Sequence, residues 1–276
     1  MRGTARTTPN QAELKSLHRA VVGSWCAELL PRKPYCATYI PDAPIVGFAF
    51  DAQIGVHAFG SDRKVHFHAK PNGLAFVPAG CDVYSQSNLG GEYLKITFKH
   101  NHGDEWPWTH RFSDVVDVVA IDAAQQLRRQ LLATPCFDEL LCEQYVHALK
   151  ERTARVLSGT LVRPAAGSWM TPQRLRLVDE LIEARLDAKV TVAELADALR
   201  LSVGFFCRAF RAGIGKAPHD YIIDRRVSRA RAFLQGAAPD LSAIAHASGF
   251  ASHAHMTATF RKRLGITPNE LRNTFR

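Results

Sequence analysis

Leu241-Ser-Ala-Ile-Ala-His-Ala-Ser-Gly-Phe250, followed by Ala251-Ser-His-Ala-His-Met-Thr-Ala-Thr-Phe-Arg-Lys-Arg263, decides the fold of the C-terminal part. The first stretch predicts a short apolar helix that stops at Gly249. The second carries Met256 and Phe260 four residues apart, on one face of a following helix. Two helices joined this tightly cross steeply, and the second can enter the major groove of DNA. Thr191 to Gly215 repeats the plan about fifty residues earlier. Val192, Leu195, Ala196 and Leu199 make the apolar face of its first helix, Arg200-Leu201-Ser202 the turn, and Phe206 and Phe210 the anchors of its second. Aligning Ala196 with Ala245 places Arg200 on Gly249. Bringing Phe210 onto Phe260 then requires one extra residue in the second turn. A turn of this kind suits a left-handed residue, free of cost for Gly249 but costing Arg200 about 1 kcal/mol.

Charge is placed to match. The chain has 276 residues and a net charge of +9, and from Thr171 onward it holds 17 Lys and Arg against 10 Asp and Glu. Between Arg200 and Arg263 the count is 11 against 3, a concentrated basic footprint suited to phosphate. The length predicts two domains, and the 46% hydrophobic content is ample for two cores. The N-terminus lacks the apolar run of a secretory signal, and no stretch is long enough to span a membrane. The cysteines Cys26, Cys36, Cys81, Cys136, Cys142 and Cys207 are scattered, without a C-x-x-C pair. They fit free thiols in a reducing cytoplasm.

The N-terminal part changes texture along its length. Residues 12–30 predict an amphipathic helix. From Tyr35 to Phe98 short apolar or alternating runs are cut by Gly, Pro, Asn and Asp: Ile45–Phe50, Gly55–Phe59, Lys64–His68, Leu74–Val77 and Tyr93–Phe98. Such runs predict a β-barrel or sandwich. Helical patterning returns at 115–133 and 138–157. Ser158-Gly-Thr-Leu-Val-Arg-Pro-Ala-Ala-Gly-Ser168 reads as a linker, and Thr171-Pro172 opens a helix running to about Asp187.

The C-terminal residues resemble the AraC/XylS family of bacterial transcription regulators over roughly 172–272. The linking segment Pro218-His-Asp-Tyr-Ile-Ile-Asp-Arg-Arg-Val-Ser-Arg-Ala-Arg-Ala-Phe-Leu234 carries the likeness. So do Ile244-Ala through Ser248-Gly-Phe250 and Phe260-Arg-Lys-Arg-Leu-Gly-Ile-Thr-Pro-Asn-Glu-Leu-Arg272. The resemblance implies an α+β chain. A cupin-like β-barrel with a helical dimerisation pair (1–157) and a linker (158–171) would precede an all-α DNA-binding domain (172–276). That domain would hold two helix-turn-helix units, at about 191–213 and 241–264. It further implies double-stranded DNA, RNA polymerase and an unknown small-molecule effector as partners. It also implies a homodimer, a cytoplasmic location, activation of transcription and no catalysis.

In the first unit Ser202, Gly204, Cys207, Arg208 and Arg211 are the DNA-facing candidates. Arg208 is the prime base reader, because a guanidinium can bond guanine O6 and N7 together. Ser202 caps the helix and adds a phosphate contact. In the second unit the candidates are His253, Ala254, His255, Thr257, Ala258, Arg261 and Lys262. Ala258 stands where the family often has Arg, so this helix should lean on phosphate and shape readout. Arg226, in the linking helix, is expected to pair with an acidic residue inside the domain.

In the sensing half, Gly60-Ser-Asp-Arg-Lys-Val-His66-Phe-His68 matches the opening of the cupin metal motif G-x5-H-x-H. The expected Glu is replaced by Asn72 and Gly73, and the later His by Val83, so neither metal nor cofactor is expected. His66, His68, Phe76, Tyr84 and Phe98 are the candidate effector-lining residues. The aromatic, His-rich stretch His100–His110 reads as a loop or strand edge near a subunit contact. Two rival readings remain. One is a metal-dependent cupin enzyme fused to a DNA-binding module. The other is a constitutive DNA-binding protein whose barrel only dimerises. No P-loop or G-x-S-x-G is present, and Asp104-Glu105 and Asp138-Glu139 read as surface carboxylates.

Overall fold

A computed structural model describes residues 18–98, 109–133, 137–161, 165–236 and 240–274. Its first part is built from strands β1 His18–Val22, β2 Trp25–Leu30, β3 Tyr35–Tyr39, β4 Ile45–Ala49 and β5 Gln53–Phe59. These are followed by β6 Val65–Ala69, β7 Gly73–Val77, β8 Val83–Ser87, β9 Tyr93–Phe98 and β10 Phe112–Val116. All pair antiparallel, in a six-stranded sheet β1-β2-β9-β4-β7-β10 and a four-stranded sheet β3-β8-β5-β6. Among the described residues no ladder joins the two sheets, so the arrangement is a sandwich of two open sheets rather than a closed barrel.

The described part of the expected helix at 12–30 is instead the hairpin β1–β2. Val22 pairs with Trp25 across a two-residue turn, and Gly23 adopts φ +49 there. Trp25, Ala27 and Leu29 alternate into the core, which is a strand period. The consecutive apolar residues Ala20, Val21 and Val22 imitate a helical face in the sequence, but on β1 Ala20 is buried while Val21 is exposed.

One face of the six-stranded sheet is apolar throughout. Val46 and Phe48 of β4, Leu74 and Phe76 of β7, and Leu94 and Ile96 of β9 belong to one buried cluster. That cluster includes Leu127 and Leu131 of α1 (Val118–Leu132) and Val146 and Leu149 of α2 (Glu139–Leu157). Both helices lie where the sequence predicts them. Asp117 caps α1 by accepting from the Ala120 N–H and is clamped by Arg152 of α2 through bonds of 2.9 and 2.6 Å. Asp138 likewise caps α2 through the Leu141 N–H, which is the structural use of one half of the Asp138-Glu139 pair.

The stretch read as a linker is only partly one. Its second half is a short 3-10 helix, Ala165–Trp169, with Gly167 pressed on the Ala212 carbonyl and Met170 fully buried beyond it. The helices that follow are α3 Pro172–Ala184, α4 Val192–Ala198, α5 Val203–Ile214, α6 Pro218–Leu234, α7 Leu241–Ala247, α8 His253–Leu264 and α9 Pro268–Asn273. Thr171 caps α3 ahead of Pro172 as expected, and the helix stops at Ala184, three residues short of Asp187. The two helix pairs sit in different cores. Phe206 and Phe210 of α5 pack with α3 and α4 around Tyr221 and Ile222. Met256 and Phe260 of α8 pack in the cluster that continues through α1 into the sandwich.

Candidate nucleic-acid interface

The two turns are built alike. After α4, the Leu201 N–H donates to the Ala196 carbonyl at 3.0 Å and the Arg200 N–H to the Asp197 carbonyl at 2.9 Å. After α7, Phe250 donates to Ala245 at 2.9 Å and Gly249 to His246 at 2.9 Å. Both are the Schellman pattern, which satisfies carbonyls left open at a helix end. It requires a left-handed residue, and Arg200 has φ +54 and Gly249 φ +83. Arg200 therefore carries the strain expected of it. Four residues separate α4 from α5 and five separate α7 from α8, the one-residue insertion that the alignment of Phe210 with Phe260 demands.

Each second helix starts on a serine and ends on a left-handed glycine. Ser202 accepts from the Phe205 N–H at 3.3 Å and Ser252 from the His255 N–H at 3.1 Å. Gly215 and Gly265 close the helices at φ +77 and +78. On α5 the residues Ser202, Gly204, Arg208 and Arg211 are accessible, while Cys207 is half-buried against the core. A Cβ at Gly204 would lie 3.6 Å from the Arg208 Nη1, so the guanidinium rests beside the bare backbone of the helix start. On α8 His253, Ala254, His255, Ala258, Arg261 and Lys262 are accessible. Thr257 is half-buried and its hydroxyl is enclosed. The outer row of α8 thus runs through Ala254 and Ala258, two methyl groups, where α5 offers Gly204 and Arg208.

Among the described residues Arg226 pairs with no carboxylate. Its Nε donates to the Leu186 carbonyl at 3.2 Å and its Nη2 to the Ala188 carbonyl at 2.8 Å, tying α6 to the segment after α3. The carboxylate pairing falls one residue earlier: Arg225 donates to Glu183 Oε1 through Nε and Nη2, at 2.9 and 2.6 Å. Lys216 pairs with Asp224, and Arg263 with Asp220 and Asp224. These ion pairs remove several basic residues from the candidate DNA face. Arg208, Arg211, Arg261 and Lys262 remain available there.

Residues 195–274 match the family described as a helix-turn-helix domain. An AraC-like transcription regulator of Streptomyces antibioticus is 37% identical over 236 residues, which cover 79% of this chain and 72% of that protein. The chain belongs to the AraC-like transcription regulators. The transcriptional regulator LumQ of Photobacterium leiognathi is 32% identical over 92 residues, 33% of this chain and 37% of LumQ, so the matched segment spans well under half of that relative. Among solved structures, an AraC-type DNA-binding-domain protein from Chromobacterium violaceum is 30% identical, with a TM-score of 0.36, covering 40% of this chain and 96% of that one.

The AraC-like chain also has a cavity of about 700 Å³ between its two sheets, open at its mouth. Of the five residues expected to line it, only Phe76 does. His66 is exposed, and His66 and His68 project from the face of β6 opposite to Phe67 and Ala69, which line the cavity. Burial, Arg176 and Lys70 hold the His68 imidazole below its usual range. Tyr84 turns outward and donates to Gln86, whereas its neighbours Val83 and Ser85 face inward. Phe98 is buried in the main hydrophobic cluster beneath Lys150.

The lining that sequence reading missed sets the phenols Tyr35, Tyr39 and Tyr93 beside the charged side chains Arg19, Glu28, Lys95, Arg111 and Asp114. The Tyr35 hydroxyl lies 3.1 Å from Ser85 Oγ and 3.4 Å from Gln53 Oε1. Burial, with Tyr35 and Cys81 nearby, pushes the Tyr39 phenol up to about 12, and burial raises that of Tyr93 further. The Tyr93 ring exists in this place only because position 47 is glycine: a Cβ there would fall 1.7 Å from the Tyr93 oxygen. His57 stacks on Phe67 at 4.9 Å, and the Arg111 guanidinium sits 4.0 Å over Phe59. Among the described residues no three His, Cys, Asp or Glu side chains gather as a metal site, and no helix is long and apolar enough to cross a membrane. The five described cysteines are free. Cys136 and most of His100–His110 lie outside the described residues.

Proposed function

We propose that the protein is a ligand-responsive transcription regulator that reads double-stranded DNA with α5 and α8 and binds a small molecule between its sheets. The observation that carries the reading is the pair of turns with the same hydrogen bonds, each presenting a serine-capped helix. Arg208 is the base reader of the first box, with Ser202, Gly204, Cys207 and Arg211 around it. His253, Ala254 and His255 face the second box, with Thr257 beside them. Ala258 meets a thymine methyl there, and Arg261 and Lys262 meet phosphates. The cavity has the size of a small-molecule site, and its lining is apolar with phenols and a few charged groups. Its occupant shifts the population of conformers that bind DNA. Val118, Val119 and Leu140, exposed on the helical pair, support assembly as a homodimer that acts with RNA polymerase as an activator in the cytoplasm.

Two experiments test this. Full-length protein is titrated with a duplex pool, and the bound fraction must enrich a sequence motif. Thermal unfolding is then followed against a panel of small metabolites, and at least one compound must raise the melting temperature. Failure of the first removes the DNA reading. Failure of the second reduces the sandwich to an assembly module.

A further inference from the structure

Three polar side chains leave the sandwich and end on the helical half. Asp51 lies between Ala49 and Gln53, both of which line the cavity. It accepts from Ser228 Oγ of α6 at 3.3 Å and stands 3.9 Å from Arg225. Glu92 lies between Gly91 and Tyr93, again both lining residues. Its Oε2 accepts from Arg128 of α1 at 3.0 Å, and its Oε1 pairs with Arg231 of α6. Asn72 precedes the lining residue Gly73 and donates from Nδ2 to the Ile214 carbonyl at 3.0 Å, the last carbonyl of α5. All three are buried, and Asn72 holds φ +59 to make its contact. All three stand in the turns just outside strand ends, and their contacts with Ser228, Arg225, Arg128, Arg231 and the Ile214 carbonyl direct them away from the cavity. Here the far side is α1, α5 and α6.

The contacts are also cross-linked. The Glu92 N–H donates to Asp51 Oδ2 at 3.1 Å, which joins the two residues directly. Between them Arg225 and Arg231 hold two successive turns of α6, the helix that joins the two DNA-reading units. Helix α1 completes the frame at both units. A Cβ at Gly215, which closes α5, would lie 2.1 Å from Ile121, and one at Gly265, which closes α8, would lie 3.6 Å from Arg129.

We infer that Asp51, Asn72 and Glu92 wire the cavity to the reading helices, so that filling the cavity changes the placement of α5 and α6 and with it the affinity for DNA. This rests on the reading of the cavity as a ligand site, and the test avoids any need to know the ligand. The cavity is filled from within by Ala75→Phe, since Ala75 lines it on β7. Affinity is measured on a duplex recovered by selection, for the full chain with and without Asn72→Gly and Glu92→Gln. Asn72→Gly keeps the left-handed backbone free of strain and removes the side chain that donates to Ile214. Filling is expected to change the dissociation constant about fivefold or more in the otherwise native chain, and less than about twofold in the Asn72→Gly/Glu92→Gln background. A fivefold change that persists in that background overturns the inference. So does a folded Ala75→Phe chain with unchanged affinity. If Glu92→Gln unfolds the protein, Asn72→Gly alone must at least halve the response, and an undiminished response overturns it. Amide hydrogen exchange without DNA gives a second readout. Filling must alter protection at the end of α5 and in α6, and must do so less when Asn72 is Gly. Unaltered protection contradicts the wiring even if no duplex is bound, which is the separate failure of the DNA reading.

Discussion

The carbonyl oxygen of Leu186 occupies the space where a side chain at Gly249 would begin: a Cβ there would come within 2.0 Å of it. Arg226 donates to the same oxygen. The turn of the second helix-turn-helix is thereby set against α6 and the segment after α3. Gly249→Ala adds a left-handed penalty of about 1–2 kcal/mol to a collision with backbone. Its denaturant midpoint should fall by the equivalent of more than about 2 kcal/mol. Arg200→Gly, at the matching turn, relieves strain at some cost in chain entropy and should gain no more than about 1 kcal/mol.

Arg208→Ala should cost about 1–3 kcal/mol of DNA affinity at fixed salt, concentrated on one base position. Arg261→Ala and Lys262→Ala should instead weaken all sequences alike and lower the salt slope by about 1 each. Fluorescence anisotropy on a duplex series, repeated at several salt concentrations, separates the two behaviours.

Asp179 gives the protein a specific acid dependence. Its Oδ1 accepts from the Tyr221 hydroxyl at 2.6 Å. Burial, aided by Glu183 and Asp51 and opposed by Arg225 and the Tyr221 bond, pushes the carboxyl up to about 6. The folded state therefore binds this proton more tightly than the unfolded state, whose carboxyl titrates near 3.8. The stabilisation from that proton is complete below about pH 4 and is lost as pH rises through about 6, on the order of 3 kcal/mol across the window. Asp179→Asn keeps an acceptor for Tyr221 and has no proton to lose. The stability of the native protein relative to this variant should decline between about pH 4 and 7, measured by urea unfolding at each pH. A constant difference contradicts the assignment.

The cavity separates two aromatic neighbours on β6. For any compound that raises the melting temperature, Phe67→Ala should remove most of the rise, because Phe67 lines the cavity and stacks on His57. His66→Ala, on the outer face, should leave the rise unchanged.

The DNA-reading half is legible because its signals are local. Gly249, Phe250, Phe206, Phe210 and the Ser202 cap act over four or five residues, and their spacing fixes the turn. Even the insertion between Ser248 and Ser252 can be counted from the residues alone. The cavity is not legible, because a strand shows its two faces with a period of two and nothing in a single strand says which is inward. The histidine spacing of His66-Phe67-His68 draws the reading one residue out of phase, and the same slip puts Tyr84 in the site in place of Ser85. Gly47 is the available clue. A glycine amid the apolar run of β4 marks a close approach, here that of Tyr93. The carbonyl contacts of Arg226 and the reach of Asp51, Asn72 and Glu92 are long-range and leave no periodic trace.

The most direct test of the central claim is selection of bound duplexes from a random pool by the full-length protein and by Arg208→Ala, both at about 150 mM salt. The account predicts a site with two short boxes about one DNA turn apart for the native chain. With Arg208→Ala, information should be lost from one box and kept in the other. A single-box motif, or loss spread evenly over both boxes, would contradict the assignment of α5 and α8 as separate readers.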